Sequence, residues 1–437
     1  MRGKRLILTL AILVVILAGW GISVKSASGV EVKQKQQELT SQADEFVKKE
    51  LYIRAIPLYE EALAYSTQEN TAIEEKLLSA YMNFGQTDSY ERLVRRRAAR
   101  GDAKEDEYIK VAEMASGSRL EETLKFIKKG IENLNSDKLR EYYESKRYSY
   151  TLRTTKFTEI TPTKSNGLMP AYNGQKWGYV DDTGREAIPA AYDKALPFNE
   201  AGYAVVSSNG RYYTITESGA HYGVDENPVS DVYAVSGSHI LANVNGTYSY
   251  YNYDFECVAK SHQYEQITSN ACGVAAVKKN GKWGIITDSG DTVVDFNLED
   301  VAVNSLGEAF CNNAAMVKQD NKWYLINVKG EKICDKGFDN AKAPESSGYI
   351  AVADSGGRWG FINQKGEEVI KCTYEDAYSF SDHVAAVKSV GSWKYISESN
   401  KEVISEIMTK ALPFHNGTAQ IEFAGYAALL KLKYLEE

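Results

Sequence analysis

Lys176-Trp177-Gly178-Tyr179-Val180 is the phrase on which the fold turns, because it returns along the chain. Later copies read Lys282-Trp283-Gly284-Ile285-Ile286, Lys322-Trp323-Tyr324-Leu325-Ile326, Arg358-Trp359-Gly360-Phe361-Ile362 and Ser392-Trp393-Lys394-Tyr395-Ile396. Apart from Trp20, every tryptophan of the 437 residues holds the second place of such a copy. Tyr212 and Tyr248 fill two gaps and Tyr426 extends the series, so successive anchors stand 35, 36, 35, 40, 36, 34 and 33 residues apart. A fixed period of this size marks a repeat architecture in which each copy is one supersecondary unit.

Reading on from each anchor shows what a unit holds. Seven residues later come Gly184, Gly219, Gly290, Gly330 and Gly366, with Phe255 and Asn400 in that place of two other copies. Asp182-Thr183-Gly184 and Asp288-Ser289-Gly290 read as hairpin turns in which glycine supplies a positive φ. A β-branched piece such as Thr292-Val293-Val294 follows, then Tyr192-Asp193, Tyr264-Glu265, Leu298-Glu299, Phe338-Asp339 and Tyr374-Glu375 at a shared phase. A small-apolar strand that reads as alternating closes the unit, as in Ala204-Val205-Val206 and Ala385-Ala386-Val387. Asn209-Gly210, Asn245-Gly246 and Asn280-Gly281 then turn into the next aromatic. Three or four short strands joined by tight turns make each unit all-β.

These residues resemble the WG-repeat family, also written KWG, of bacterial repeat proteins. The resemblance spans residues 165–437 in about seven copies plus a closing half. It implies a bacterial, often surface-exposed protein and no agreed activity. A unit this short cannot bury its own apolar face, so a large aromatic at fixed phase is expected to fill the gap between units. Each such ring buries about 150–250 Å² and contributes on the order of 4–6 kcal/mol gross. Trp177, Tyr212, Tyr248, Trp283, Trp323, Trp359, Trp393 and Tyr426 are therefore expected to be structural repeat anchors. Such units suit a propeller-like ring, which leaves only short sheet edges. An open, curved β array is the alternative. The half repeats Met169 to Val180 and Ala419 to Leu430 are expected to complete a ring between them.

Residues 31–150 read differently. Apolar residues recur there at helical spacing, and 25 of the 33 glycines and 7 of the 8 prolines lie after residue 150. The stretch Glu50 to Leu63 resembles the second helix of a tetratricopeptide repeat, with Tyr52, Ala55, Ile56, Tyr59, Ala62 and Leu63 at the packing places. Two periods of 34 further on stand Leu120, Thr123, Leu124, Ile127, Gly130 and Ile131, while the copy around Gly85 to Ala98 is degenerate. The resemblance implies a short stacked solenoid with a groove for a peptide or protein. A plain helical stalk or coiled coil is the other reading. Arg95-Arg96-Arg97 with Arg100 is expected to lie on a solvated face.

Before this, Met1 to Arg5 carries three positive charges, and Leu6 to Val24 is free of charge over 19 residues. That length suffices to cross the roughly 30 Å hydrocarbon core as a helix. A cytoplasmic stub at 1–5 and a transmembrane signal anchor at 6–24 are expected, with the rest outside the cytoplasm. Secretion after cleavage near Ser26 or Ser28 is the alternative. Residues 151–437 hold 26 Lys and Arg against 36 Asp and Glu, which argues against a nucleic-acid surface.

The search for chemistry returns little. The five cysteines Cys257, Cys272, Cys311, Cys334 and Cys372 form no CxxC pair and are expected to be small buried core residues. The histidines His221, His239, His262, His383 and His415 show no metal-ligand spacing. No nucleophile elbow, HExxH or P-loop is present. Asp193, Glu265, Glu299, Asp339 and Glu375 share one phase, so they are expected to hold backbone at a strand end. No catalytic, cofactor or metal residue is assigned. Two places break the symmetry. Tyr250, Tyr251 and Tyr253 make an aromatic run that suits stacking on sugar rings, and the 40-residue step carries extra residues around Ser305 to Asn313. The sequence thus points to a non-enzymatic, membrane-anchored, extracytoplasmic binding or scaffold protein of a bacterial cell envelope. Its expected partner is a protein, and a cell-wall glycan is the alternative. An enzyme would require a non-repeated polar cluster meeting at the middle of a ring.

Overall fold

The structure, a computed structural model, describes residues 29–435 apart from 66–69, 116–118, 162, 164–166, 200, 223–228, 237–238 and 259–263. The charged start, the proposed span at 6–24 and His262 lie outside the described residues. No helix among the described residues is long and apolar enough to cross a membrane. The chain forms two compact units, Met1–Glu144 and Ser145–Glu437.

The first unit is helical: α1 (Gly29–Lys48), α2 (Tyr52–Leu63), α3 (Asn70–Phe84), α4 (Thr87–Arg100), α5 (Glu105–Met114) and α6 (Leu120–Leu134), with α7 (Asp137–Arg147) at its end. In α2, Ala55, Ile56, Tyr59 and Ala62 are buried while Tyr52 and Leu63 are half-buried. In α6, Thr123, Leu124, Ile127 and Gly130 are buried while Leu120 and Ile131 are half-buried. The two helices thus bury the same face in the same register. Gly130 is small for a reason: a Cβ there would stand 2.8 Å from the Tyr108 ring and 2.9 Å from Leu139. In α4, Arg97 is fully buried. Its guanidinium meets Glu107 at 3.0 Å and Glu74 at 3.2 Å and donates to the Asp102 carbonyl at 3.0 Å. This corrects the solvated reading for Arg97, while Arg96 and Arg100 are exposed as expected and Arg95 is half-buried. The other two paired members are tied as well, Arg95 to Glu91 and Glu122, and Arg100 to Glu74 and Asp102.

The second unit is a succession of antiparallel sheets. Six separate sheets of three or four strands are followed by one of seven. The seven-stranded sheet holds two repeats that share the long strand Glu402–Ala411, so eight repeat units stand in line. Apolar clusters seal each to the next. Ile188 and Ile215 join the first two, Tyr212 and Tyr251 the second and third, and Leu241 and Ile286 the third and fourth. Trp283 and Phe310 follow, then Trp323 and Ile350, Trp359 and Phe380, and Tyr395 and Phe414. Leu429 of the eighth unit packs on Met169 and Val180 of the first. The circuit of contacts is therefore closed, as in a propeller, and not an open array.

Closure differs from the expectation in its strands. Met169–Tyr172 and Trp177–Val180 belong to a complete first sheet with Glu159–Ile160 and Glu186–Tyr192. The eighth unit instead takes its fourth strand from Tyr150–Thr154, which runs antiparallel to Tyr426–Leu432 in the register Tyr150↔Leu432 to Thr154↔Ala428. The β unit thus begins upstream of position 165. Gln420 clamps the same seam, accepting from the Ile160 amide at 2.8 Å and donating to the Thr158 carbonyl at 3.0 Å.

The small-apolar strands do not alternate in burial. Val274–Lys279, Ala314–Gln319 and Val384–Ser389 each bury four consecutive residues. Each sheet has a neighbour on both faces, so both sides of its second strand are dry, and Ala, Val and Met fill the narrow gaps.

The glycine after tryptophan has a cause in the fourth strand. In the first, fourth and sixth sheets that strand runs seven residues and bulges as it passes the phrase. A Cβ on Gly178 would lie 2.5 Å from the Ile188 carbonyl oxygen, and one on Gly360 2.5 Å from that of Ile370. Where Tyr213, Ser249 and Tyr324 replace the glycine, the fourth strand is two residues long or is not formed among the described residues. Lys394 is the exception, since its partner strand bulges without a glycine opposite.

Candidate functional site

The anchors come first. Trp177, Trp283, Trp359 and Trp393 pair across the sheet with Tyr192, Leu298, Tyr374 and Met408, and Trp323 bridges to Phe338. The aromatic of the phrase and the apolar residue fifteen places on are thus one cross-strand pair. Trp283, Trp323, Trp359 and Tyr212 are buried, and Trp177, Trp393 and Tyr248 are partly buried against the inter-sheet clusters. Tyr426 departs from this: it is 65% exposed. The borrowed strand Tyr150–Thr154 reaches only Ala428, so nothing crosses over Tyr426 and it is no anchor.

The two tyrosine substitutions have a local reason. Tyr212 donates its hydroxyl to one oxygen of Asp231 and Tyr248 to the other, each at 3.0 Å, and Lys194 meets the same carboxylate at 2.7 Å. Burial acts to raise the pKa of Asp231, but Lys194 and the two hydroxyls outweigh it and hold the group below the usual carboxylate range. An indole offers one fixed N–H donor, whereas each phenol here places a hydroxyl on Asp231, one on each carboxylate oxygen.

The repeated acids hold turns. Asp193 accepts the Asn209 amide at 2.7 Å, Glu265 that of Gly281 at 3.0 Å, Glu299 that of Asn321 at 3.2 Å and Glu375 that of Gly391 at 3.1 Å. Asp339 instead receives Lys322 at 2.7 Å. The paired Lys176 ammonium and then the Asn209 amide lower the pKa of Asp193. Asp181 binds the amides of Thr183 and Arg185 within its own turn, and Asp182 pairs with Lys431, so these neighbours make no carboxylate pair. The glycines seven residues after the anchors all take positive φ, and Phe255 and Asn400 adopt the same conformation at 58° and 59°.

The aromatic run divides. Tyr251 is buried in the seam between the second and third sheets. Tyr253 packs on Tyr203 with ring centroids 5.0 Å apart and is hydrogen-bonded to Asn199. Strand pairing turns Tyr251 inward, while Tyr253 stands half-buried in the turn that follows the strand. Tyr250 lines a cleft of about 310 Å³ with Tyr264, Ile286 and Asp288, and its buried hydroxyl has no hydrogen-bond partner. The cysteines are not core residues: Cys257 and Cys272 are exposed, the other three are half-buried, and all five are free.

A second cluster lies where the circuit's inner segments meet. The extra residues of the fourth step form a tight turn in which the Asn304 side chain accepts from the amides of Leu306 and Glu308 at 3.0 and 2.9 Å. This turn carries Ser305, whose hydroxyl stands 2.7 Å from His415 Nε2. Glu345 Oε2 stands 4.0 Å from the other ring nitrogen, Nδ1. Ser305 is exposed, while His415 and Glu345 are buried. The three come from the fifth, eighth and sixth units, so the contacts span the ring. Beside them, Asp382 accepts the Gly417 amide at 2.7 Å, and burial raises its pKa despite that bond and the nearby His383. His415 also lines a cleft of about 540 Å³ with Met169, Asn416, Thr418 and Lys431. Sequence spacing gave no sign of this convergence, although the long fourth step marked one of its members. Among the described residues no group of three His, Cys, Asp or Glu is placed to hold a metal ion.

The model of the family described as WG containing repeat matches residues 177–212, 248–283 and 359–393, so the chain carries WG repeats at three places. These are copies in the first to fourth, sixth and seventh units. No curated protein matches the chain. Among solved structures, Kluyveromyces lactis Hsv2p is 10% identical, covering 56% of this chain and 92% of its own, with a TM-score of 0.36. The WD40 domain of SCAP from fission yeast is 8% identical over 65% of this chain and 94% of its own, with a TM-score of 0.39. Saccharomyces cerevisiae Sqt1 is 9% identical over 64% and 97%, also at 0.39. Superpositions this loose bear no weight beside the sheet contacts described above.

Proposed function

We propose that the chain is a binding scaffold that captures a protein partner, held outside the cytoplasm by its N-terminal segment. The observation that carries this is where the repeated polar groups go. Asp193, Glu265, Glu299 and Glu375 are consumed by the protein's own turns, so the repeats build a rigid surface and spend no shared constellation on chemistry. The helical unit, whose α2 and α6 bury one face in a common register, supports a tetratricopeptide-like stack with its groove as a second contact surface. The charge-free run from Leu6 to Val24 behind three positive charges supports the anchor. This role calls for no cofactor, metal or catalysis. Surface crosslinking of the full-length protein in its host, followed by identification of what is joined to it, tests both parts. A labelled partner on the outer face is expected, and failure to label from outside removes the topology.

A carbohydrate-binding reading is favoured by one observation, the unpartnered hydroxyl of Tyr250 in its cleft. An unsatisfied buried hydroxyl costs about 1–3 kcal/mol, which a sugar hydroxyl would recover. Adding cell-wall glycans while following tyrosine and tryptophan fluorescence separates the two: a saturable change lost in Y250F supports the glycan.

A further inference from the structure

We propose that Ser305 is an activated nucleophile, with His415 as its general base and Glu345 as the residue that positions the imidazole. This goes beyond the scaffold role and does not depend on it. Three observations converge. Ser305 is an exposed residue of a tight turn, and its hydroxyl stands 2.7 Å from His415 Nε2, within the reach a general base needs. A buried carboxylate faces the opposite ring nitrogen at 4.0 Å, on the side from which an imidazolium is stabilised. The turn that brings Ser305 across the ring is the insertion that breaks the repeat, so this constellation occurs once where structural residues recur.

The chemistry that fits is acyl transfer from a small carboxylic ester. As Ser305 Oγ forms its bond to the acyl carbon, its proton passes to His415 Nε2. The carbon–oxygen bond to the leaving alcohol breaks, and that oxygen takes the proton from Nε2. Water then attacks the acyl-serine, again losing its proton to His415. The carboxylic acid leaves and Ser305 is restored. The nearest turn amides, those of Leu306 and Glu308, are held by Asn304 and are not free to steady a developing oxyanion. The expected substrates are therefore activated esters rather than amides.

The test is covalent labelling of the full-length protein with a fluorophosphonate, sites and rates read by mass spectrometry, with hydrolysis of p-nitrophenyl acetate alongside. Label on Ser305 is expected at least about tenfold faster than on the exposed turn serine Ser289, and absent in S305A. The rate should rise with pH as the imidazole loses its proton. In E345Q it should fall, with its pH midpoint moved down, because the carboxylate that favours the imidazolium is gone; E345D should restore part of both. H415Q should abolish the difference from Ser289, and if that buried variant fails to fold, E345Q carries the decision. Equal labelling of Ser305 and Ser289 overturns the proposal, as does a Ser305 rate and pH midpoint unchanged in folded E345Q.

Discussion

Gly360→Ala is the substitution that bears most directly on why the phrase reads tryptophan-glycine. A Cβ built there meets only backbone: the Ile370 oxygen at 2.5 Å, the Cys372 nitrogen at 2.6 Å and the Lys371 carbonyl carbon at 2.7 Å. None is the end of a flexible side chain, so the bulged strand Glu368–Tyr374 must move or its hydrogen bonds must stretch. Overpacking of this sort costs about 1–3 kcal/mol. Against it, alanine restricts the unfolded chain and returns about 0.4–1 kcal/mol. A net loss of about 1.3 kcal/mol follows, some tenfold in the folding equilibrium. Gly356→Ala is the control, because its Cβ would meet only the Asp354 side chain, at 3.2 Å. Urea unfolding of the two variants followed by tryptophan fluorescence gives the comparison. If G360A is as stable as G356A, the fourth strand gives way freely and the account of the glycine is wrong. Lys394, opposite a bulge of the same kind, shows that such a strand has at least one way to yield, so G284A, with a single backbone contact at 2.8 Å, should cost less than G360A.

Arg97→Ala leaves the buried Glu107 without its cation and Glu74 with Arg100 alone, so a loss of about 3–5 kcal/mol is expected, while the partly exposed Arg95→Ala should cost about 0–1 kcal/mol. Thermal melts followed by far-ultraviolet dichroism check the contrast, and equal shifts would remove the case for a buried network. Trp359→Ala empties a seam and should cost about 3–5 kcal/mol, whereas Tyr426→Ser should stay within about 0.5 kcal/mol by the same denaturation measurement. Asp231 has a depressed pKa in the fold, so its contribution is present above the unfolded value of about 3.9 and is lost as pH falls through the lower folded value. Melting temperature against pH should therefore fall less steeply in that acid range in D231N than in the parent, and parallel curves would exclude the linkage.

Much of the β unit was readable because its signals are local. Trp283, the turn Asn280-Gly281 and the acid Glu265 sit within one period, and each acts on a neighbour a hairpin away. What escaped depends on chain that sequence does not place nearby. Tyr426 holds the right phase, yet whether it is covered is decided by how far a strand from residue 150 extends along it. Arg97 reads as part of a basic run, and only α3 and α5 supply the carboxylates that let it be buried. Tyr212 and Tyr248 look like lapses until Asp231 is placed between them. Ser305 and His415 are 110 positions apart and meet only because the circuit closes.

That closure also imposes an order of events. A ribosome delivers Tyr150–Thr154 before any other strand of the β unit, and its partner Tyr426–Leu432 after all of them. Until that last hairpin emerges, the first strand has a free edge, and Leu429 is not yet there to cover the seam beside Met169. Pairings between such distant segments form slowly, and an unpaired edge invites wrong partners meanwhile. The growing chain must keep its earliest strand unspent for the length of the whole ring, which makes the interval of synthesis, more than the finished molecule, the time when this fold is exposed to error.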